Sequence, residues 1–203
     1  FMAIKREVYE KLKKMSGRES SWALYPDFDK DAFGMDIFNQ PEIWNLLNDK
    51  YVILALNPGK DVQTKPWINF HSDVGKGARR LRDVTKNSVL EGSYITDVYK
   101  NVFEKNSGKL KSFDSDEQRV QASLPILRNE LELLHHPLII TLGSGVKSFV
   151  QKHLPDYESI NTWHYSYIGR KSFPVSDVKY YEHWWQTLSE YGIPTPQKGY
   201  QEK

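Results

Sequence analysis

Residues 51–56, Tyr-Val-Ile-Leu-Ala-Leu, form an unbroken apolar run that stops at Asn57-Pro58-Gly59. An amphipathic helix would interrupt such a run with polar residues at its helical period, and a strand with one wet face would alternate. A short continuous run closed by a turn marks a strand buried on both faces, as in a parallel sheet with helices above and below. Three further segments read as strands: Ser93–Val98, Leu138–Leu142 and the shorter Tyr157–Trp163.

The segments around and between these strands read as helical. Ile4, Val8, Leu12 and Met15 lie near helical spacing, and Pro41 at a first helical position predicts a short helix over Pro41–Asn48. A basic helix is expected over about Lys76–Lys86. Asp116 opens a longer helix with the stripe Val120, Leu124, Leu127, Leu131 and Leu134, and Pro125 is expected to kink it. Gly143-Ser144-Gly145 turns into a helix ending near Leu154, and Ser176 caps a last helix that reaches Tyr191 before Gly192 and Pro194. Strands alternating with helices imply βαβ units and an α/β/α sandwich. Ligands of such sheets bind beyond the carboxyl ends of the strands. The segments expected there are Asn57-Pro58-Gly59, Asp97, Gly143-Ser144-Gly145 and His164-Tyr165-Ser166.

At 203 residues the chain fits one domain, 1–203, with an N-terminal helical segment 1–50, a core 51–191 and a tail 192–203. Zero cysteines exclude disulfides, thiol catalysis and a cysteine-held iron–sulfur cluster. No apolar run approaches the ~20 residues of a membrane span. Phe1–Met15 is lysine-rich without a long apolar stretch, so no signal peptide is expected and the expected compartment is the cytoplasm. A net charge of +2 allows a local basic patch for nucleic acid without demanding one. Six Trp and 12 Tyr are either ordinary core or, in part, platforms for stacked bases. His135-His136 precede a buried strand with no matching acidic or His partner, which reads as structural; neither metal nor cofactor is expected.

The order of these motifs resembles the uracil-DNA glycosylase superfamily, and the resemblance covers about Tyr51 to Tyr191. One branch of that family carries G-I-N-P-G after its first strand; here the segment is Ala55-Leu56-Asn57-Pro58-Gly59. The second motif, H-P-S-P-L in the best-known branch, is His164-Tyr165-Ser166-Tyr167-Ile168, with both prolines replaced by tyrosine. Phe70 falls where the family has a ring-stacking phenylalanine. Tyr94-Ile95-Thr96-Asp97 matches an I-T-N strand with aspartate for asparagine, and Leu142-Gly143-Ser144 is similar to the phosphate-touching L-W-G-S segment.

The resemblance implies a four-stranded parallel sheet in the order 2-1-3-4, the strands numbered along the chain. It also implies a hydrolase that cuts the N-glycosidic bond of a flipped, deaminated or damaged base in single- or double-stranded DNA. Asn57 cannot ionise at neutral pH and would orient a water, while His164 would donate to the base oxygen that gathers charge, an oxyanion-type role. Phe70 and Asp97 would bind the base. Pro58, Gly59, Ser144, Ser166, Arg170 and Lys171 would contact DNA, and Ile168 would fill the gap left in the stack. The basic stretch Gly75–Arg80 is either an added DNA contact or a solvated face. Because Asn57, Asp97 and Tyr165 depart from the most active branch, a binding protein on the same fold stays open, as does an N-glycosidase for RNA or a free nucleoside. The expected state is a monomer with no membrane partner.

Overall fold

The computed structural model describes residues 3–26, 35–58, 65–71, 77–100, 117–197 and 200. The elements in order are α1 (Arg6–Ser16), β1 (Ser21–Trp22), β2 (Asn48–Ala55), α2 (Gly77–Thr85), β3 (Ser93–Asp97), α3 (Glu117–Leu133), β4 (Leu138–Leu142), α4 (Ser144–His153), β5 (Ser159–Thr162) and α5 (Asp177–Glu190), with short 3-10 turns at Met35–Asn39, Ile43–Leu46 and Tyr165–Tyr167. Asp116, Gly59, Gly75 and Lys76 lie outside the described residues.

The four expected strands, now β2 to β5, are parallel neighbours in the expected order 2-1-3-4, as β3-β2-β4-β5, but among the described residues the sheet is not limited to four. It has five strands, in the order β1-β3-β2-β4-β5. β2 pairs in parallel with β3 and β4, and β4 with β5. The added edge strand β1 runs antiparallel to β3, with Ser21 opposite Ile95 and Trp22 opposite Tyr94. Two residues carry no periodicity, so β1 leaves no trace in the sequence pattern. Long-range bonds hold it instead: Ser21 Oγ donates to the Trp67 carbonyl at 2.6 Å. The helix expected over Pro41–Asn48 is also corrected. Only a 3-10 turn forms, and Asn48 instead starts β2, its buried amide donating to the Glu91 carbonyl at 2.7 Å.

Alternation along the strands divides the core in two. Val52 and Leu54 of β2 face a layer containing α1, α3 and α4, while Ile53 and Ala55 face α2 and α5. Each helix contributes its apolar side to one layer, for example Leu127 and Leu131 of α3 and Trp184 and Leu188 of α5. Burial on both faces explains why residues 51–56 lack alternation. Ser176 caps α5 by accepting from the Lys179 amide at 3.2 Å.

One charged pair is sealed inside the first layer. Lys100 Nζ lies 2.8 Å from Glu130 Oε2, with side-chain exposures of 2% and 0%. Lys100 also donates to Thr96 Oγ1 at 2.6 Å, and the Tyr94 hydroxyl donates to Glu130 Oε1 at 3.1 Å. Nearly every lone pair of the carboxylate is therefore occupied. Breaking such a pair strands a charge in the interior, at about 3–5 kcal/mol. Glu130→Ala should lose about that much in urea unfolding, and Lys100→Met with Glu130→Leu should recover part of it. A Glu130→Ala protein within about 1 kcal/mol of wild type would contradict this account of the pair.

Candidate functional site

The parallel strands end together, and their last polar residues form one rim. Asp97 closes β3 beside Ala55 of β2, and the ladder continues as Val98 N–H donates to the Ala55 carbonyl at 2.9 Å and Tyr99 N–H to the Leu56 carbonyl at 3.0 Å. Asn57 is the next residue on that chain. On the other side of β2, Gly143 N–H donates to the Thr162 carbonyl at 2.8 Å, two residues before His164. Only β4 separates the strands that lead to Asn57 and His164, a spacing of roughly 10 Å between their chains.

Asp97 is 1% exposed and lies on the face of α2 and α5. Asn69 holds it: Asn69 Nδ2 donates to Asp97 Oδ2 at 2.9 Å and to the Glu19 carbonyl at 2.6 Å. The Asn69 carbonyl oxygen accepts from Phe70 N–H at 3.2 Å, which fixes the direction of the amide. Burial pushes the Asp97 carboxyl up, the Asn69 bond and Lys100 pull it partly back, Glu19 and Glu130 push up again, and the result is about 7. Tyr165 lies near enough to Asp97 to be affected by it; burial first, and then that carboxylate, push the phenol well up.

The loop carrying Asn69 is backbone-strained. Trp67 has φ +69° and Phe70 φ +66°, a region bulky side chains rarely enter, at about 1–3 kcal/mol each. Surrounding bonds enforce it. Trp67 Nε1 donates to the Tyr9 hydroxyl at 2.9 Å, Trp67 N–H to the Gly17 carbonyl at 2.6 Å, and the Tyr25 hydroxyl to the Phe70 carbonyl at 3.3 Å. The half-buried Phe70 ring packs against the α2 and α5 layer, the same layer Asp97 faces.

His164 Nδ1 accepts from the Ser166 backbone N–H at 3.0 Å. The neutral ring therefore carries its proton on Nε2, leaving that nitrogen as the donor. Burial first, and Arg170 second, lower the imidazole to about 4, so it is neutral at physiological pH. The ring lies 4.3 Å from that of Tyr165 and 5.4 Å from that of Tyr167. The backbone of this loop is clamped: Arg80 Nη1 donates to the Tyr165 carbonyl at 2.8 Å while Arg80 Nε meets Asp177 Oδ1 at 2.7 Å. Gly77 opens α2 directly against the Tyr165 ring, where a Cβ would come within 2.8 Å of Cε2.

The remaining expected residues are more scattered in environment. Asn57 is half-buried and donates through Nδ2 to the Pro58 carbonyl at 3.1 Å; Pro58 is buried. Ser144 is exposed at the start of α4, as are Arg170 and Lys171 beyond the His164 turn. Ser166 Oγ accepts from Arg170 Nη2 at 3.4 Å. Ile168 needs correction: at 5% exposure it belongs to the core under α5 and is not presented for insertion into a base stack. Its neighbour Tyr167 is 41% exposed, with the Arg170 guanidinium 5.0 Å above its ring. Asn69 escaped the sequence reading as a site residue, while Tyr165 and Arg80 were expected only as members of the rim segment and the basic stretch, without the bonds that join them. The only local hint was Asn69 preceding Phe70, because their roles arise from partners 28 to 97 positions away. Among the described residues, no group of three or more His, Asp or Glu could hold a metal. His135 pairs with Asp49 at 3.1 Å, and His136 stacks on Tyr157 at 4.9 Å.

A parallel sheet whose carboxyl rim gathers a carboxamide, a buried carboxyl and a neutral imidazole donor defines a class of polar ligand site on an α/β sandwich. The model of the Uracil DNA glycosylase superfamily matches residues 41–189, and the chain belongs to that family. A comparison with curated proteins gives no match. Membership supports a glycosylase-type hydrolase acting on DNA at the level of the family.

Asp97 and His164 oppose each other in stability. Asp97 titrates near 7 in the fold against 3.8 ordinarily, so between those values the folded protein keeps a proton the unfolded chain has lost, and stability falls as pH rises. His164 titrates near 4 against 6.5, so between those values the unfolded chain takes a proton the fold refuses, and stability falls as pH drops. The two contributions cancel over about pH 4 to 6.5. Asp97→Asn should therefore lose stability on acidification across that window, and His164→Gln should gain it. Unfolding midpoints from pH 4.5 to 7.5 measure both slopes, and slopes of the same sign in the two variants would overturn the assignment.

Proposed function

We propose that the protein excises a deaminated or damaged base from DNA by hydrolysing its N-glycosidic bond, with Asp97 choosing the base. The observation that carries this reading is the Asn69–Asp97 bond at 2.9 Å. Asn69 donates to Oδ2, so Oδ2 faces Asn69 and Oδ1 is the oxygen left to meet a substrate. With the carboxyl near 7, Oδ1 is an acceptor above that pH and carries a hydroxyl donor below it.

Uracil presents a carbonyl, an N–H and a second carbonyl along its pairing edge. With Oδ2 held by Asn69, a protonated Asp97 turns a hydroxyl donor on Oδ1 toward a carbonyl of that edge, as an asparagine would turn an N–H; an ionised one sets a lone pair against the carbonyl. Above neutrality the carboxylate suits an edge with neighbouring donors, such as that of a guanine-like lesion. His164, neutral and donating from Nε2, stabilises the oxygen on which the leaving base collects charge, a contribution of ~2.7–4 kcal/mol per donor in comparable sites. Asn57 orients the attacking water on the sugar face, with its proton released to solvent. The half-buried Phe70 ring is the surface on which the flipped base stacks. Tyr167 takes the position facing the duplex, with Arg170 beside it for phosphate.

Oligonucleotides containing uracil, hypoxanthine, xanthine or thymine mispairs, read as alkali-labile sites, test the reading. Uracil excision should strengthen as pH falls through about 7. Asp97→Asn should raise uracil excision at pH 8 by ~5- to 150-fold, the range for relieving one opposed buried acceptor. Efficient wild-type uracil removal at pH 8, reduced by Asp97→Asn, would sink the role of Asp97; salt-sensitive binding with no cleavage of any base would leave a binding protein.

A separate measurement addresses the DNA contact. Arg170→Ala should lower the salt slope of DNA binding by about one counterion. An unchanged slope places Arg170 outside the interface.

A further inference from the structure

His164 stands on a short turn, residues 164–170, whose hydrogen bonds are mostly its own. Tyr167 N–H donates to the His164 carbonyl at 3.1 Å, and Arg170 N–H to the Tyr167 carbonyl at 3.3 Å. Among the described residues, a single hydrogen bond reaches residues 164–168 from outside the turn: Arg80 Nη1 to the Tyr165 carbonyl, at 2.8 Å. Ile168 anchors the far end in the core, but an apolar contact sets no direction for a peptide group.

The acceptor of that bond gives it its reach. The Tyr165 carbonyl and the Ser166 N–H belong to one trans peptide unit. Such a unit is planar and aims its two polar groups to opposite sides. Arg80 holds one side of the plane, and on the other the Ser166 N–H donates to His164 Nδ1 at 3.0 Å. Rotating the plane would withdraw that N–H from the ring. A donor on the carbonyl also polarises the peptide and strengthens its N–H. Guanidinium, peptide and imidazole are thus bonded in series.

Arg80 is itself fixed. Its side chain is 9% exposed, with Nε 2.7 Å from Asp177 Oδ1, while Arg79 Nη2 takes Oδ2 at 2.8 Å. Asp177 is the first residue of α5, where the helix dipole favours a carboxylate. The planar fork of an arginine meets the carboxylate through Nε and the carbonyl through Nη1, a geometry that a lysine does not reproduce. At the other end of the turn, a Cβ on Gly169 would lie 3.8 Å from Arg80 Nη2.

We propose that Arg80 is a positioning residue for His164, which it orients and holds in the Nε2–H tautomer through the Tyr165–Ser166 peptide, with Asp177 fixing the guanidinium. While Nδ1 accepts, the neutral ring keeps its hydrogen on Nε2. The role rests on the reading of His164 as the donor to the leaving base.

Nitrogen NMR of the imidazoles in the full chain, titrated with pH and with His164 assigned by loss of its signals in His164→Gln, tests the link. Arg80→Ala should admit the Nδ1–H form and raise the His164 titration from about 4 toward 6.5, because a bond that favours the neutral ring is lost. Burial and then Arg170 hold this imidazole down, and Arg80 is not among the charges acting on it, so the rise reports the peptide and not a missing cation. Arg80→Lys keeps a charge beside Asp177 and should move both signals the same way by less; it decides alone if Arg80→Ala does not fold. Arg79→Ala removes an ion pair of Asp177 but no bond to the turn, and should leave both signals in place. In the excision assay, Arg80→Lys should lower kcat on the order of 10- to 100-fold with KM within about twofold, since a misaimed donor harms chemistry more than binding. The proposal is overturned if the folded Arg80 variants lose stability yet keep the wild-type His164 tautomer and titration, or if Arg79→Ala moves them as far. Shifted His164 signals with kcat unchanged, or a wild type that excises no base, would uphold the positioning and defeat the reading of His164 as the donor.

Discussion

Everything at the rim depends on β2 having no wet face. It is paired on both edges and covered on both sides, so residues 51–55 can be almost wholly apolar, and the first polar side chain after Tyr51 is Asn57, beyond the strand's end. Parallel pairing then brings the ends of β3, β4 and β5 to the same edge, and the chain's polar chemistry collects there. A rim of this kind needs no long-range design beyond the order of the strands.

Within the rim, position alone decides how each ionisable group behaves. Asp97 and His164 are both desolvated, and desolvation moves an acid up and a base down. The result is a site that holds a neutral acid and a neutral base together across mildly acidic pH. Neither side chain is salt-bridged to a described partner, unlike Arg80 with Asp177 or Lys100 with Glu130. The charged pairs serve as struts, while these two rim groups are kept uncharged by exclusion of water.

The legible part of this molecule is the part fixed by local pattern. The apolar runs at 51–56, 93–98 and 138–142 became strands, and Ser176 caps the last helix because a hydroxyl at that place satisfies an orphan amide. The turn after β5 could be placed because His164-Tyr165-Ser166 follows a strand. What escaped was contact information. Ser21–Trp22 pairs only because β3 offers it an edge, and Ile168 is buried because α5 lies over it, whereas its aliphatic character is equally suited to a protruding wedge. Asn69 was invisible as an organiser for the same reason: nothing in Trp67-Ile68-Asn69-Phe70 announces that its amide will reach both Glu19 and Asp97.

Asn69 has one more consequence. Both of its amide hydrogens and its oxygen are engaged within the protein. It therefore acts as a fixed reference for whatever occupies position 97, always requiring an acceptor on its own side. A carboxylate, a carboxylic acid and a carboxamide all meet that requirement with the same shape, and each then turns a different second group outward. Position 97 can thus exchange acid for amide with no repacking of its surroundings. A single isosteric exchange there would change the group turned outward and leave the loop, the sheet and the strained backbone around it as they are.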